Sequence, residues 1–282
     1  MPPTSRTLLL CPVCRAPLAA GPEDSARTLA CAAGHRFDAA RQGYFNLLTG
    51  SGTKFQADTA EMVQARVDFL GAGHYLPLAS ELAALVSAAA PGAEVVLDAG
   101  AGTGYYLAEA AKSFPQAATV ALDISKFALR RAARALPQTS CLVWDVWRPL
   151  PLADAGVDVI LNVFAPRNPA EFRRVLTSDG ILAVVTPAPD HLREVRTLAG
   201  LLDIGAEKED RLSGALSGYF SPEPAVPCRY PMQLDPADIR NVALMGPSAR
   251  HLDRGRLEEN LAALTGKTEV TASFALQLFR AV

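Results

Sequence analysis

The sequence predicts an α/β fold, a doubly wound and mostly parallel sheet preceded by a small cysteine-bearing module. Three observations predict it. Val95-Val96-Leu97 form an apolar run of the kind buried in a parallel sheet, and the alternate glycines of Asp98-Ala99-Gly100-Ala101-Gly102-Thr103-Gly104 follow it before a helix begins at Tyr105. Further short apolar runs then alternate with helix-like stretches, as βαβ units require. Three of the five cysteines fall within the first 31 residues, apart from this alternation.

Taking the chain in order, Cys11-Pro12-Val13-Cys14 and Cys31-Ala32-Ala33-Gly34-His35 read C-x2-C-x16-C-x3-H, four ligands suited to a closed tetrahedral zinc. The first pair sits in a knuckle whose Val13 and Cys14 amides turn toward the thiolates, and Thr28-Leu29-Ala30 reads as a hairpin strand between the pairs. Zinc binding contributes roughly 10–16 kcal/mol of folding free energy to a segment too small for a core of its own. With four protein ligands, one structural zinc per chain is expected and no catalytic water. Thr7-Leu8-Leu9-Leu10 is shorter than the ~7–15 apolar residues of a signal sequence and reads as the start of a strand.

Gly43-Tyr44-Phe45-Asn46-Leu47-Leu48 leads into the glycine- and serine-rich stretch Thr49 to Lys54, read as a linker. Asp58-Thr59-Ala60-Glu61 has the form of a capping box with Asp58 as the cap, opening a helix to about Leu70. A second helix starts at His74-Tyr75-Leu76-Pro77. The alternation then gives a strand ending at Asp98, a helix, a strand Ala118 to Asp123, a helix Ser125 to Ala135, and strands at Ser140–Val143, Val157–Asn162 and Gly180–Thr186. Arg229–Leu234 and Thr268–Leu278 supply two final strands around a helix at Pro236–Leu244.

The glycine loop brings bare backbone to a ligand at a helix start, since glycine has no Cβ to hold the ligand away. A dinucleotide fingerprint needs a third glycine where Tyr105 stands. Asp-x-Gly-x-Gly-x-Gly with a second acid, Asp123, ending the next strand resembles motifs I and II of the S-adenosylmethionine-dependent methyltransferases. The class I (Rossmann-like) methyltransferase sheet follows as the expected fold, with Asp98, Gly100 and Gly102 at the cofactor and Asp123 on its ribose.

Composition narrows the alternatives. Half of the 282 residues are hydrophobic, yet no run approaches the roughly 20 residues of a membrane span. A net charge of −2 gives no overall attraction to nucleic acid, but residues 1–56 carry six Lys/Arg against three Asp/Glu, a local +3 that suits phosphate. An odd number of cysteines without an export signal fits metal binding in a reducing cytoplasm better than a disulfide frame.

Ligands in such sheets bind outside the carboxyl ends of the strands, which selects the loops that matter. In Trp144-Asp145-Val146-Trp147, Asp145 is a candidate acceptor for an adenine amino group. Asn162-Val163-Phe164-Ala165-Pro166-Arg167-Asn168-Pro169 offers an amide, a stackable ring and a phosphate-pairing arginine where methyl acceptors meet such enzymes. Pro187-Ala188-Pro189-Asp190-His191-Leu192 puts a histidine at the rim.

These residues together carry a resemblance over nearly the whole chain. The four zinc ligands, Gly43 to Leu48, Ala60-Glu61-Met62, Phe69-Leu70 with Gly73-His74-Tyr75, the glycine loop with Tyr105-Tyr106, Phe164-Ala165-Pro166 and His191-Leu192 resemble the RlmA family of 23S rRNA guanine-N1 methyltransferases. Asn162 to Pro169, Asp145-Val146-Trp147 and Met245-Gly246-Pro247-Ser248 are most similar to its actinomycete branch, which includes a tylosin-resistance methyltransferase. The resemblance implies zinc on Cys11, Cys14, Cys31 and His35, and cofactor contacts from Tyr75, Tyr106, Leu107 and His191. It implies methyl transfer from S-adenosylmethionine to N1 of a guanine in a 23S rRNA hairpin loop, macrolide resistance as an outcome, and a homodimer as a further assembly. Asn162, Phe164 and Arg167 are the substrate candidates. The expected division is a zinc-binding RNA-recognition module at 1–50, linker and helices at 51–90, and the methyltransferase domain at 91–282.

N1 of neutral guanine bears a proton that must leave before or during attack. No residue stands out as its acceptor, with Asp190 and His191 the nearest candidates. Two other classes share parts of the pattern. A methyltransferase acting on a quinone or an antibiotic precursor needs the sheet and glycine loop but no zinc module. A non-catalytic zinc adaptor needs the module but no intact cofactor loop.

Overall fold

A computed structural model describes residues 8–20, 27–50, 52–199, 214, 216–246, 249–250 and 252–282. Thr7 of the first apolar stretch, Ser51 of the linker, Pro247 and Ser248 of the late motif, and the charged Arg6, Glu23 and Asp24 lie outside them.

Three short strands, β1 (Ala19–Ala20), β2 (Thr28–Ala30) and β3 (Arg36–Asp38), form an antiparallel sheet in the N-terminal module. A nine-stranded sheet forms the body. Its parallel part comprises β4 (Phe45–Asn46), β5 (Val95–Ala99), β6 (Ala118–Asp123), β7 (Ser140–Val143), β8 (Val157–Val163) and β9 (Leu176–Pro187). Three antiparallel strands complete one edge: β10 (Phe220–Pro222), β11 (Val226–Leu234) and β12 (Thr268–Ala281). The order is β10-β12-β9-β8-β5-β6-β7-β4, with β11 also paired to β12. Chain order reverses between β5 and β8, the switch point at which open α/β sheets bind ligands.

Helices α1 (Ala60–Gly71), α2 (Leu76–Ala89), α3 (Tyr105–Ala111) and α4 (Lys126–Ala135) bury their apolar faces in one core cluster. The opposite face of the sheet packs against α5 (Pro169–Val175) and the N-terminal module. Leu8, Leu9, Cys11, Leu29, Phe45 and Leu47 share that second cluster with Val95, Leu97, Val120 and Ile160. β4 runs parallel to β7, and Leu9 bridges Leu152. The segment Gly43 to Leu48 thus contributes a strand to the edge of the main sheet before the chain reaches the stretch read as a linker, and the module's apolar side chains are part of the sheet's core.

The capping assignment at α1 shifts by one residue. Thr59 is the N-cap, accepting from the Met62 amide, which releases the Asp58 carboxylate to pair with Arg66 at 2.6 Å. Ser125 caps α4 and Pro77 lies in the first turn of α2. The expected β6, β7 and Pro236–Leu244 elements have the expected limits. The sequence reading passed over β4 and β10, too short to show a period, and the helix Arg254–Ala262, where only Leu257 and Leu261 are buried and Gly255 weakens the pattern. No single helix among the described residues is long and apolar enough to cross a membrane.

Candidate active site and metal centre

In the N-terminal module the four predicted ligands converge, with their donor atoms within 4.8 Å of one another. Cys14 Sγ lies 3.7 Å from Cys31 Sγ, and His35 Nδ1 lies 3.4 Å from Cys31 Sγ and 3.6 Å from Cys11 Sγ. Bonds of ~2.0–2.3 Å to a tetrahedral zinc place its ligands at about these separations. Tight turns aim them: Cys11 O accepts from the Arg15 amide with Arg15 at φ 62°, and Cys31 O accepts from the Gly34 amide with Gly34 at φ 85°. Burial opposes ionisation of Cys31, but hydrogen bonds from the His35 backbone and ring, with others, hold its thiol down to about 6, whereas Cys14, against a hydrogen bond from the Ala16 backbone, is raised by burial and the neighbouring Cys11 and Cys31 thiols. These residues fit one zinc, bound through Nδ1 of His35.

The second site lies at the carboxyl ends of β5, β6, β8 and β9. Gly100, Gly102 and Gly104 all take positive φ, 91°, 55° and 80°. A side chain at Gly100 would collide with the Cβ of Ala165, so the glycine lets the loop after β8 close onto the loop after β5. Asp123 braces the loop. Its Oδ2 accepts from the Gly102 amide at 2.8 Å and its Oδ1 from the Ser125 amide at 2.7 Å. Burial raises its pKa and these two bonds oppose the rise.

Asp98 is 1% exposed, and its Oδ2 has no hydrogen-bond partner. Burial, with the nearby Asp123 charge, pushes its carboxyl up to about 8. A buried acid with a free oxygen beneath a glycine cradle fits a cationic ligand group, and S-adenosylmethionine carries one in its α-ammonium. Asn162 is fully buried; its amide donates to Ala99 O and Pro166 O at 3.0 Å each, and its Oδ1 is left without a partner. On the Ile124 side of Asp123 a cavity of ≈ 770 Å³ opens between Asn46, Thr53, Asp58, Lys126 and Phe127. Tyr75, Tyr106 and His191 do not line it.

Those three residues belong to a buried aromatic cluster with Phe164 and Phe274. Phe164 lies 6.5 Å from Tyr75, 6.1 Å from Tyr106 and 5.6 Å from Phe274 between ring centroids. Tyr75 Oη is 3.1 Å from His191 Nε2, while His191 Nδ1 accepts from the Ser273 amide at 3.2 Å. That second bond fixes the tautomer, so Nε2 carries the proton and donates it to Tyr75. Burial and the Arg196 charge hold His191 down to about 3. Neutral at physiological pH, with both nitrogens engaged, it is not placed to remove a proton. Asp190 pairs with Arg229 at 3.0 Å, and a hydrogen bond from the Ser273 side chain, with the Arg229 contact, holds its carboxyl below the usual range.

Phe164 holds its ring at the exposed edge of this cluster, 42% exposed, from a backbone φ of 54° that a non-glycine residue adopts only under strain. Arg167 is partly buried, its Nε has no partner, and burial lowers it to about 10, the state of a cation awaiting an anion. Leu107 is fully buried, its side chain packed in the core beneath the loop. Asp145 joins two loops: Oδ2 accepts from Thr53 Oγ1 at 2.7 Å and Oδ1 from the Trp147 amide at 3.0 Å.

Arg66 was not anticipated. It projects from α1 to within 3.7 Å of where a Gly102 side chain would begin, held by Asp58 and by Met245 O at 2.6 Å. The signal was present in the sequence: position 66 falls on the stripe of Met62, Phe69 and Leu70, which is otherwise apolar, and a charge inside such a stripe faces something polar.

Residues 9–50 match the family described as "RlmA, N-terminal", and residues 96–180 the family described as "Methyltransferase domain". The chain is 46% identical to a putative 23S rRNA (guanine-N(1)-)-methyltransferase of Micromonospora griseorubida, over 97% of each chain. It is also 46% identical, over 96% of each, to the 23S rRNA (guanine(748)-N(1))-methyltransferase of Streptomyces fradiae. A putative enzyme of the same kind from Bacillus subtilis, YxjB, is 36% identical over 67% of this chain and 68% of its own. With likeness of this extent, and the metal centre and glycine loop joined in one polypeptide, the chain belongs to the RlmA family of S-adenosylmethionine-dependent 23S rRNA (guanine-N1)-methyltransferases.

Proposed function

We infer that this protein methylates N1 of a guanine in 23S rRNA, and that the guanine is presented in a hairpin loop. The carrying observation is the 46% identity over 96–97% of the chain to two enzymes of that description, a likeness that spans the zinc ligands as well as the sheet. When bound, S-adenosylmethionine supplies a methyl group already activated by its sulfonium. The chain's task is to hold N1 in line with that methyl. Asp98, the amides around Gly100 and Gly102, and Asp123 are the groups to hold the cofactor, and Arg66 adds a cation for its carboxylate.

On the substrate side, Asn162 Oδ1 is a buried acceptor without a donor, and guanine's Watson–Crick edge presents a donor beside N1, the 2-amino group. A guanine splayed from a loop stacks on Phe164, and Arg167 takes a flanking phosphate. The proton of N1 leaves to water before the in-plane lone pair takes the methyl, and charge balances because one proton is released as the sulfonium becomes a neutral thioether. The four-ligand zinc shapes the RNA-recognition module without entering the chemistry.

The five unpaired cysteines fit a reducing compartment such as the cytoplasm. Resemblance to the branch with a tylosin-resistance enzyme supports macrolide resistance as the consequence. Transfer of labelled methyl to 23S rRNA by the wild-type protein, with at least tenfold loss in Arg167→Met at unchanged cofactor affinity, is the expected result. Equal transfer by that variant removes Arg167 from the substrate site.

A further inference from the structure

Two exposed aromatic rings from distant parts of the sequence meet beside the candidate site. Phe55 is 42% exposed and Trp147 50%, and their ring centroids are 6.4 Å apart at an interplanar angle of 33°. Apolar rings this exposed would ordinarily fold back against the protein, since each can bury well over 100 Å². Here a hydrogen-bonded frame holds them out. Asp145, 5% exposed, is its pin: one oxygen takes the Trp147 amide and the other the Thr53 hydroxyl, which in turn accepts from the Phe55 amide at 3.2 Å. Arg148 also donates to the carbonyl of Gly52, so the segment bearing Phe55 is tied twice to the loop bearing Trp147.

The frame continues toward the site. Asn168 Nδ2 donates to Val146 O at 3.0 Å, joining the Trp147 loop to the loop that carries Phe164 and Arg167. Cations lie alongside. Lys54 Nζ stands 5.5 Å over the Phe55 ring, and Arg148 is in the same loop as Trp147. Rigidly presented aromatic faces flanked by basic side chains suit a flat, anionic polymer, because every base offers a π-face and every linkage a phosphate. A protein partner would meet charged rims around rings that already stand apart from one another.

We propose that Phe55 and Trp147 form a stacking platform for an unpaired RNA base near the target guanine, with Asp145 as its positioning residue. This rests on the rRNA reading above and adds a contact to it. Asp145 then serves RNA through the backbone it pins.

The test uses the full chain and an in vitro transcript of the 23S rRNA hairpin. Trp147 is one of two tryptophans, and Trp144 is buried, so RNA binding should quench the exposed indole. Trp147→Phe should keep most of the RNA affinity and lose the quench. Trp147→Ala and Phe55→Ala should each weaken RNA binding about tenfold, within the range of base–aromatic stacking, and leave cofactor affinity within about twofold. Asp145→Asn should lower RNA affinity and increase acrylamide quenching of the free protein. Wild-type RNA affinity in both alanine variants, while the wild type still methylates the transcript, overturns the platform and leaves the rRNA reading standing. Absence of RNA binding and methylation in the wild type overturns both.

Discussion

Asp98 should make cofactor affinity depend on pH in a defined direction. Its carboxyl is 1% exposed and raised to about 8 from a usual value near 3.8, chiefly by burial. A group raised in the folded state contributes stability that is fully present below pH 4 and lost as pH rises toward 8, because the native protein holds a proton that the unfolded chain has released. The full penalty for ionising it unliganded is on the order of 5 kcal/mol, and over pH 6 to 8 its share is about 1.4 kcal/mol per unit. A ligand ammonium set against the free Oδ2 reverses the preference and makes the anion favourable. Binding of S-adenosylhomocysteine should therefore release a proton below pH 8 and tighten about tenfold per pH unit between 6 and 8, then level off. Calorimetry in two buffers of different ionisation enthalpy measures both effects. Asp98→Asn should bind more weakly at pH 8 and show neither slope nor proton release. A flat profile for the wild-type protein, or the same slope in the variant, would refute the assignment of Asp98 to the cofactor's cationic end.

Three further outcomes follow from the geometry. Purified protein should contain about one zinc per chain, and Cys14→Ser should lose most of it while cofactor affinity changes far less; full occupancy by elemental analysis in that variant would remove Cys14 from the ligand set. Gly102→Val puts a branched side chain at φ 55° toward Arg66, and Asp123→Ala removes the acceptor of two loop amides, so both should lower cofactor affinity, the second by roughly 1.5–3 kcal/mol, and a melting curve will show whether the fold survives. Deleting residues 1–50 should destabilise the whole protein, because Leu8, Leu9, Phe45 and Leu47 lie in the core of the main sheet; a soluble fragment with wild-type melting behaviour would contradict that packing.

The parallel strands and their glycine loop were legible because each is a continuous apolar run with a chemical constraint at its end. Asp98 and Asp123 close strands whose interior residues have no other polar group aimed at the loop. The zinc ligands were legible from spacing alone. What the sequence concealed is what depends on distant partners. Asp145 looks like an isolated loop acid until Thr53, 92 residues away, is seen to bond to it. His191 looks like a rim histidine until Ser273 and Tyr75 are seen to engage both its nitrogens. The joining of the N-terminal module to the sheet rests on a two-residue strand, Phe45–Asn46, too brief for a periodic signal. Long-range pairing of this kind leaves no local trace, since the energy lies in contacts between segments and not within either one.

The central claim is methylation of a guanine at N1 in 23S rRNA, and primer extension tests it most directly because a methyl at N1 blocks Watson–Crick pairing. Incubating unmodified 23S rRNA with the protein and S-adenosylmethionine should produce one new strong stop, immediately 3′ of a guanine in a hairpin loop and absent without cofactor. No stop on free RNA or on ribosomal particles, together with methyl transfer to a small molecule such as a quinone or antibiotic precursor, would contradict it.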